Sequence, residues 1–457
     1  MPSGKNIMLK KTGRLLARWS ERFIPDSFVF SLLLTFATFL MGILIAHNTP
    51  FAMIDHWYSG FWELLTFGMQ MVLILVTGHT LANTPVMKNI LIRLSAIPKS
   101  QAQAIYLTGL ISCILALIHW GFGLIGGGTF ALYMAHSAQE KGFRLHYPLV
   151  VASAYLALLI WHNGLSGSAP LLCATSGHFL ESATGLIPIS ETLFSRMNIL
   201  ITLGMLVICP LIMMLMSPTH EIEITPADSG LLDKAMGASV KEGHTLKGPS
   251  TFSIRLENST TLMILACIMG FLYILRHFME DGVSLNLNMV NFVFLMLGAA
   301  LWKTPIRYVR AIADATQGVS GVILQFPFYA GIMGMMKFSG LVPIMADWFV
   351  AISSPFTYPL WVLVSAALVN LFVPSGGGQI AVQGPILVEA AGKLGVPMSK
   401  AIMALAYGDE LTNMIQPFWA IALLAIARLK PKDIMGYCVM PMFFAFIIMA
   451  AGLLLID

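Results

Sequence analysis

The sequence predicts an all-α polytopic membrane protein, built as an inverted repeat with two re-entrant hairpins and two discontinuous helices. Three observations carry that expectation. Of 457 residues, 57% are hydrophobic and only 11% charged, against about 25% charged in a soluble domain. Uncharged apolar runs long enough to cross a bilayer recur along the chain. Some of those runs are interrupted by glycine, proline and polar clusters, in the same order in both halves.

The net charge of +4 is not a nucleic-acid footprint, because the basic residues sit in short loops as topology signals do. Cys113, Cys173, Cys209, Cys267 and Cys438 lie in apolar runs with no CxxC pair and no metal spacing, so each reads as packing. No cofactor is expected. Residues 1–24 read as an amphipathic segment on the cytoplasmic membrane surface. Arg14, Arg18 and Arg22 form one stripe and Leu15, Leu16, Trp19 and Phe23 another.

Residues 25–216 form the first transmembrane repeat. Ser27 to Ala46 is the first span and Leu64 to about Ala82 the second. The loop between them is acidic (Asp55, Glu63) and suits the outer side; the loop after them is basic (Lys88, Arg93, Lys99) and suits the inner side. Ala102 to Trp120, the glycine-rich stretch ending in Gly126-Gly127-Gly128, and the short run to Ala135 are flanked by basic residues at both ends. That pattern predicts a hairpin entered from the cytoplasm with the glycines at its tip. The helix from Pro148 breaks at 162–170 and resumes to Cys173; Leu193 to Met216 returns inside.

Residues 217–258 are polar and read as a cytoplasmic linker. The second repeat, 259–457, has spans at Thr260 to Leu275, Val290 to Trp302 and Ala315 to Met336. Its hairpin turns at Val373-Pro374-Ser375-Gly376-Gly377-Gly378-Gln379, with no charged residue between Asp347 and Glu389. Pro374 ends the preceding helix, and irregular backbone at membrane depth survives only where protein or a water-filled cavity satisfies it. The helix from Pro397 breaks at Gly408-Asp409-Glu410-Leu411-Thr412-Asn413. Ile434 to Leu455 is last, giving roughly nine spans besides the hairpins.

The halves echo each other in the two glycine triplets and in Ala152-Ser153-Ala154-Tyr155 and Ala404-Leu405-Ala406-Tyr407, each of which precedes a break. Interrupted helices in an inverted repeat place a binding site near the midplane. Helix starts attract anions. The expected substrate site is therefore Gly126, Gly127, Gly128, Asn163, Ser166, Ser168, Ser375, Gly376, Gly377, Gly378, Gln379, Thr412 and Asn413. With no Arg or Lys in these loops, a small monoanion that must also leave suits it best. Asp409 and Glu410 are the candidate coupling-ion residues, since a charge at membrane depth costs at least ~2.5 kcal/mol. Asp409 can hold Na⁺ beside free carbonyls or carry a proton. Its plainer role is a helix cap. Gln325, Phe328 and Tyr329, with Phe326, could line a pocket for a short alkyl chain. His162 stands out among the histidines because it borders a break.

Phe61 to Met71, Trp120 to Leu124, Gln325 to Ile332, Val373 to Gln379, Gln416 to Ala420 and Asp433 to Cys438 resemble the bacterial short-chain fatty acid transporters of the AtoE type. The resemblance covers nearly the full chain. It implies uptake of monocarboxylates such as butyrate or acetoacetate across the inner membrane by H⁺ or Na⁺ symport. A homodimer, and movement of a hairpin-bearing core past a fixed scaffold, follow by analogy with the fold class. The rivals are an Na⁺/H⁺ or other small-ion exchanger and an intramembrane enzyme. HExxH and G-x-S-x-G are absent, so no catalytic residue is expected.

Overall fold

The structure is a computed structural model and describes residues 27–218, 224–228, 230–232, 251–416 and 418–456. The expected amphipathic segment and most of the expected linker lie outside the described residues. Among those described there is no strand. The first half runs α1 (Ser27–Leu44), α2 (Pro50–Gly60), α3 (Leu65–Ala82), α4 (Pro85–Ser95), α5 (Gln101–Ile118), α6 (Trp120–Glu140) and α7 (Tyr147–Tyr155). Two 3₁₀ turns follow (Leu156–Leu159, Trp161–Asn163), then α8 (Ser168–Cys173), α9 (Glu181–Thr184) and α10 (Arg196–Leu215). The second half holds α11 (Phe252–Glu257), α12 (Thr260–Glu280), α13 (Leu287–Trp302), α14 (Pro305–Thr316), α15 (Ser320–Ser339) and α16 (Leu341–Ile352). It ends with α17 (Tyr358–Asn370), α18 (Gly376–Leu394), α19 (Met398–Thr412), α20 (Ala420–Ala427) and α21 (Pro431–Leu455).

Local chemistry sets many of the starts. The side chains of Thr49, Thr84, Ser100, Ser195, Ser259 and Asn286 each accept from a backbone N–H in the first turn, worth about 1 kcal/mol per cap. Pro50, Pro85, Pro148, Pro305, Pro359 and Pro431 stand at first or second helical positions, where a missing N–H costs nothing.

By length and composition, five helices among the described residues can cross a membrane: α3, α5, α10, α12 and α21. Two bent pairs raise that to seven: Tyr147–Leu159 with Trp161–Cys173, bent by 41°, and α14 with α15, bent by 56°. This is fewer than the sequence suggested. Leu287–Trp302 and Phe28–Leu44 are shorter apolar helices.

The hairpins enter from opposite ends. α17 has 13 residues, about 20 Å of helix, too short for a hydrocarbon core of ~30 Å. The chain turns at 371–375 and returns as α18, with Tyr358 Oη donating to Leu387 O across the two arms (2.5 Å). At the other end, Gln101 begins α5 and Lys141 follows α6. Both ends meet the basic loops. Lys141 Nζ donates to Ala96 O and to Pro98 O (2.9 Å), and Gln101 Nε2 donates to Pro218 O (3.0 Å). Tyr147 Oη reaches Ala427 O (3.2 Å) and Trp302 Nε1 reaches Thr80 O (3.2 Å). α4 with Lys88 and Arg93, and the loops carrying Lys99, Arg144, Lys303 and Arg428, thus share one end of the bundle. The opposite end carries the exposed pairs Lys337–Glu63 and Lys393–Asp347.

Two expectations are corrected. The tip of the first hairpin is His119, not the glycine triplet. The His119 backbone is extended (φ −161°, ψ 119°), and its Nδ1 accepts from Gly121 N (3.2 Å), restarting the helix at Trp120. Gly126, Gly127 and Gly128 lie inside α6, where they face Leu115, Ser112 and Leu423. Glycine survives within a membrane helix because it lets neighbours approach closely. Likewise, α19 stays helical through Asp409 and Glu410, and its break begins only at Asn413. Gly408 permits this: a Cβ there would collide with the Leu363 carbonyl and the Ala366 methyl of α17. Gly164 plays the same part in the first break, where a Cβ would strike the Leu117 backbone.

Candidate functional site

Successive residues on a helix project about 100° apart, so Asp409 and Glu410 straddle whatever packs on the last turn of α19. That residue is His162. Its backbone N–H donates to Glu410 Oε2 (2.8 Å). Its ring Nδ1 lies 3.0 Å from Ala406 O and 3.3 Å from Asp409 Oδ2. Its Nε2 lies 2.8 Å from Ser168 Oγ. A backbone carbonyl only accepts, so Nδ1 carries a hydrogen, and in the neutral ring Nε2 accepts from the Ser168 hydroxyl. His162 and Glu410 are 0% exposed, Asp409 1% and Ser168 2%. One oxygen of each acid, Asp409 Oδ1 and Glu410 Oε1, is buried without a hydrogen-bond partner.

The second hairpin closes on this cluster. Ser375 caps α18 by accepting from Gly378 N (3.2 Å). Gly376 follows so tightly that a Cβ would lie 2.5 Å from His162 Nε2 and 2.7 Å from Ser168 Oγ. Next along the helix, Gly377 faces Phe326 and Phe67, and Gly378 faces Tyr329. Trp161 stacks on the His162 ring (3.6 Å between centroids). Trp120 bridges Trp161 and Trp419 at 5.8 and 5.2 Å, and Trp419 Nε1 donates to Pro374 O (2.8 Å). The aromatic wall therefore joins both breaks to the tips of both hairpins.

Hydrogen bonds tie the two breaks directly. Tyr155 Oη donates to Asn413 O (2.9 Å), and Asn413 Nδ2 donates back to Leu158 O (3.2 Å). Asn370 Nδ2 reaches Thr412 Oγ1 (3.0 Å) and Asn413 Oδ1 (3.1 Å). Tyr407, at the matching place in the second Ala-x-Ala-Tyr, donates to Asn198 Oδ1 (2.9 Å), and Asn198 Nδ2 donates to Asn163 O (3.1 Å).

Of the residues expected at the site, Ser168, Gly376, Asp409 and Glu410 come together, and Ser375 flanks them. Thr412 and Asn413 join Asn370 instead. Gln379 donates to Ala366 O and to Gln383 Oε1. Asn163 Nδ2 turns to Thr202 Oγ1 (3.1 Å), and Ser166 Oγ accepts from Trp120 N (2.8 Å) at the first hairpin's restart. Tyr329 Oη donates to Gln325 Oε1 (3.1 Å). Phe328 points elsewhere, into Phe28 and Phe61 at 5.0 and 5.4 Å; its neighbour Phe326 is the ring on the glycines. Sequence reasoning flagged His162 only as bordering a break. It missed Asn370 and Asn198, whose signal was a lone amide in an apolar run.

Opposed hairpins meeting two interrupted helices around a buried polar cluster define a membrane carrier of the inverted-repeat class. Solved structures share that architecture. The YdaH transporter of Alcanivorax borkumensis matches over 94% of this chain and 98% of its own, with TM-score 0.58 and 15% identity. MtrF of Neisseria gonorrhoeae, described among antimetabolite efflux pumps, matches over 97% of each chain with TM-score 0.63 and 14% identity. Residues 8–456 match the family model described as short chain fatty acid transporter. Two relatives carry that description provisionally as a name. One, from Escherichia coli (strain K12), is 40% identical over 98% of this chain and all of its own. The other, from Haemophilus influenzae, is 38% identical over 98% of this chain and 99% of its own. The chain belongs to the short-chain fatty acid transporter family.

Proposed function

We propose that this protein is a secondary carrier that takes up short-chain monocarboxylates, of butyrate or acetoacetate type, by symport with H⁺ or Na⁺. The observation that carries the coupling is the contact chain from Asp409 and Glu410 through His162 to Ser168 and Gly376. It links buried acids to the tip of a hairpin. The first N–H groups of α18 and its dipole favour a carboxylate there. Among the described residues no Lys or Arg is buried, which suits a small anion held weakly enough to leave. Phe67, Phe326 and Tyr329 against the glycines supply an apolar side for a short alkyl chain. On this reading the basic end of the bundle faces the cytoplasm, as the positive-inside rule favours, with the N-terminus inside and the protein in the bacterial inner membrane. A homodimer belongs to the same reading, and crosslinking in native membranes checks it.

The test is uptake of labelled butyrate into proteoliposomes under separately imposed proton and sodium gradients. Butyric acid crosses bilayers unaided when protonated, so rates are compared with protein-free liposomes. The expected result is protein-dependent uptake driven by one gradient and competed by unlabelled acetoacetate. Uptake equal to the protein-free rate under both gradients would overturn the reading.

A further inference from the structure

We infer that the indole N–H of Trp161 holds the substrate carboxylate, beside the open N–H groups at the tip of the second hairpin. The inference rests on the carrier reading above and deepens it by naming the side chain that meets the anion.

The buried indoles differ in how their donors are used. Trp302 Nε1 donates to Thr80 O and Trp419 Nε1 to Pro374 O. Trp161 Nε1 has no acceptor, although Trp161 is only 8% exposed and the atom itself is buried. A buried N–H without a partner lowers stability, and phenylalanine would stack there without that cost. The donor therefore stands ready for an acceptor that comes and goes. That acceptor is not the coupled cation, because an indole N–H donates only and has no lone pair to offer it.

Trp161 opens the 3₁₀ turn of the first break, Trp161–Asn163. Its ring lies on the His162 ring, 3.6 Å between centroids and tilted by 31°. The Nδ1 edge of His162 faces Asp409, and the Nε2 edge faces Ser168 and Gly376. The imidazole thus stands between the acids and the hairpin tip, with the indole over its face. Gly376 and Gly377 are the first two residues of α18, and N–H groups at that position have no acceptor in their own helix. Gly378 N is spent on Ser375 Oγ. Three neutral donors, one from the first break and two from the second hairpin, are left open around this imidazole, and no Lys or Arg is buried among the described residues. An ionised carboxylate accepts at both oxygens and donates from neither, which is what such donors require. Bonds from N–H groups to a charged acceptor are about twice as strong as neutral ones, so an indole donor selects the anion without a salt bridge that would slow its release. Because the donors come from both repeats, the anion is held fully only while the first break and the second hairpin stay together.

The experiment uses the full chain in proteoliposomes: wild type, Trp161→Phe, and a chain carrying benzothienylalanine in place of Trp161, which keeps the ring shape and replaces the N–H by sulfur. Butyrate counterflow by wild type comes first and tests the carrier reading alone; no overshoot there sinks that reading and this inference with it. The half-saturating concentration (KM) and maximal rate of counterflow are then measured for acetate, propionate and butyrate. Loss of the indole donor should raise KM about tenfold or more for all three acids alike, because they share the carboxylate, with the maximal rate within about threefold of wild type. Unfolding in detergent separates binding from packing. Without substrate the isostere should unfold at or above the wild-type temperature, since it loses an unpartnered donor and no volume, and butyrate should stabilise it less than it stabilises wild type. The isostere also decides the matter if Trp161→Phe does not fold. A wild-type KM in the isostere would mean that the donor holds only trapped water, and overturns the inference. So would a rise in KM that grows from acetate to butyrate, which places the ring on the alkyl end, or an isostere that unfolds at a lower temperature without substrate. With wild-type counterflow intact, each of these results leaves the carrier reading standing.

Discussion

Replacing Asp409 with Asn should lower gradient-driven butyrate uptake by roughly 100-fold, while the protein still inserts and elutes as a single species in detergent. The substitution keeps the shape and one oxygen of the side chain. It removes the ionisable carboxyl that lies 3.3 Å from His162 Nδ1. A chain that retains a carboxylate at this depth carries a cost of at least ~2.5 kcal/mol, and each ~1.4 kcal/mol is tenfold in an equilibrium. A neutral amide of the same shape adds no cost of burial, so stability should hold as transport collapses. Uptake rates of purified wild type and variant, reconstituted at equal protein density, give the ratio. Thermal unfolding in detergent gives the stability. A rate within threefold of wild type would remove Asp409 from the coupling.

Gly376→Ala is the second large effect, from the smallest change. The added methyl group would sit 2.5 Å from His162 Nε2 and 2.7 Å from Ser168 Oγ, closer than real contacts allow. His162 is held by its ring, its backbone and Trp161, so the hairpin is the part that must shift. Overpacking of this kind costs about 1–3 kcal/mol, which a helical bundle of this size tolerates. Uptake should fall at least tenfold with insertion intact. The comparison is Gly128→Ala inside α6, where the nearest atoms are Leu423 and Ile426 side chains at 3.4 and 3.5 Å. That variant should transport within about twofold of wild type, since ordinary van der Waals contact replaces a void. Equal rates in the two variants would remove the tip from the account.

The contrast between those two glycines also shows what the sequence could and could not say. Apolar runs, their breaks and the order of hairpins and interrupted helices were legible, because lipid penalises unpaired backbone and so makes every Gly, Pro or polar cluster in a span informative. The Val373–Gln379 turn was legible for that reason, with Pro374 and the glycines in an uncharged stretch. Gly126-Gly127-Gly128 looked the same and is packed helix. Composition cannot tell glycines in the first turn of a helix at a hairpin tip from glycines packed inside a helix. Asp409 and Glu410 were legible as rare intramembrane acids. Their partner was not, because His162 lies 248 positions from Glu410 in the chain, and a lone histidine beside a break carries no sign of what it touches. Asn370 stayed hidden for the same reason: one amide in the apolar run of α17 reads as packing until Thr412 and Asn413 are set against it.

Counterflow of labelled butyrate in liposomes tests the central claim most directly, because it needs a carrier that binds the acid and asks nothing about ions. Liposomes loaded with unlabelled butyrate and diluted into a trace of label should show a transient accumulation of label above equilibrium, absent from protein-free liposomes and strongly reduced in Gly376→Ala. A small-ion exchanger of the same fold would show no overshoot. Absence of the overshoot with wild-type protein properly inserted would contradict the account.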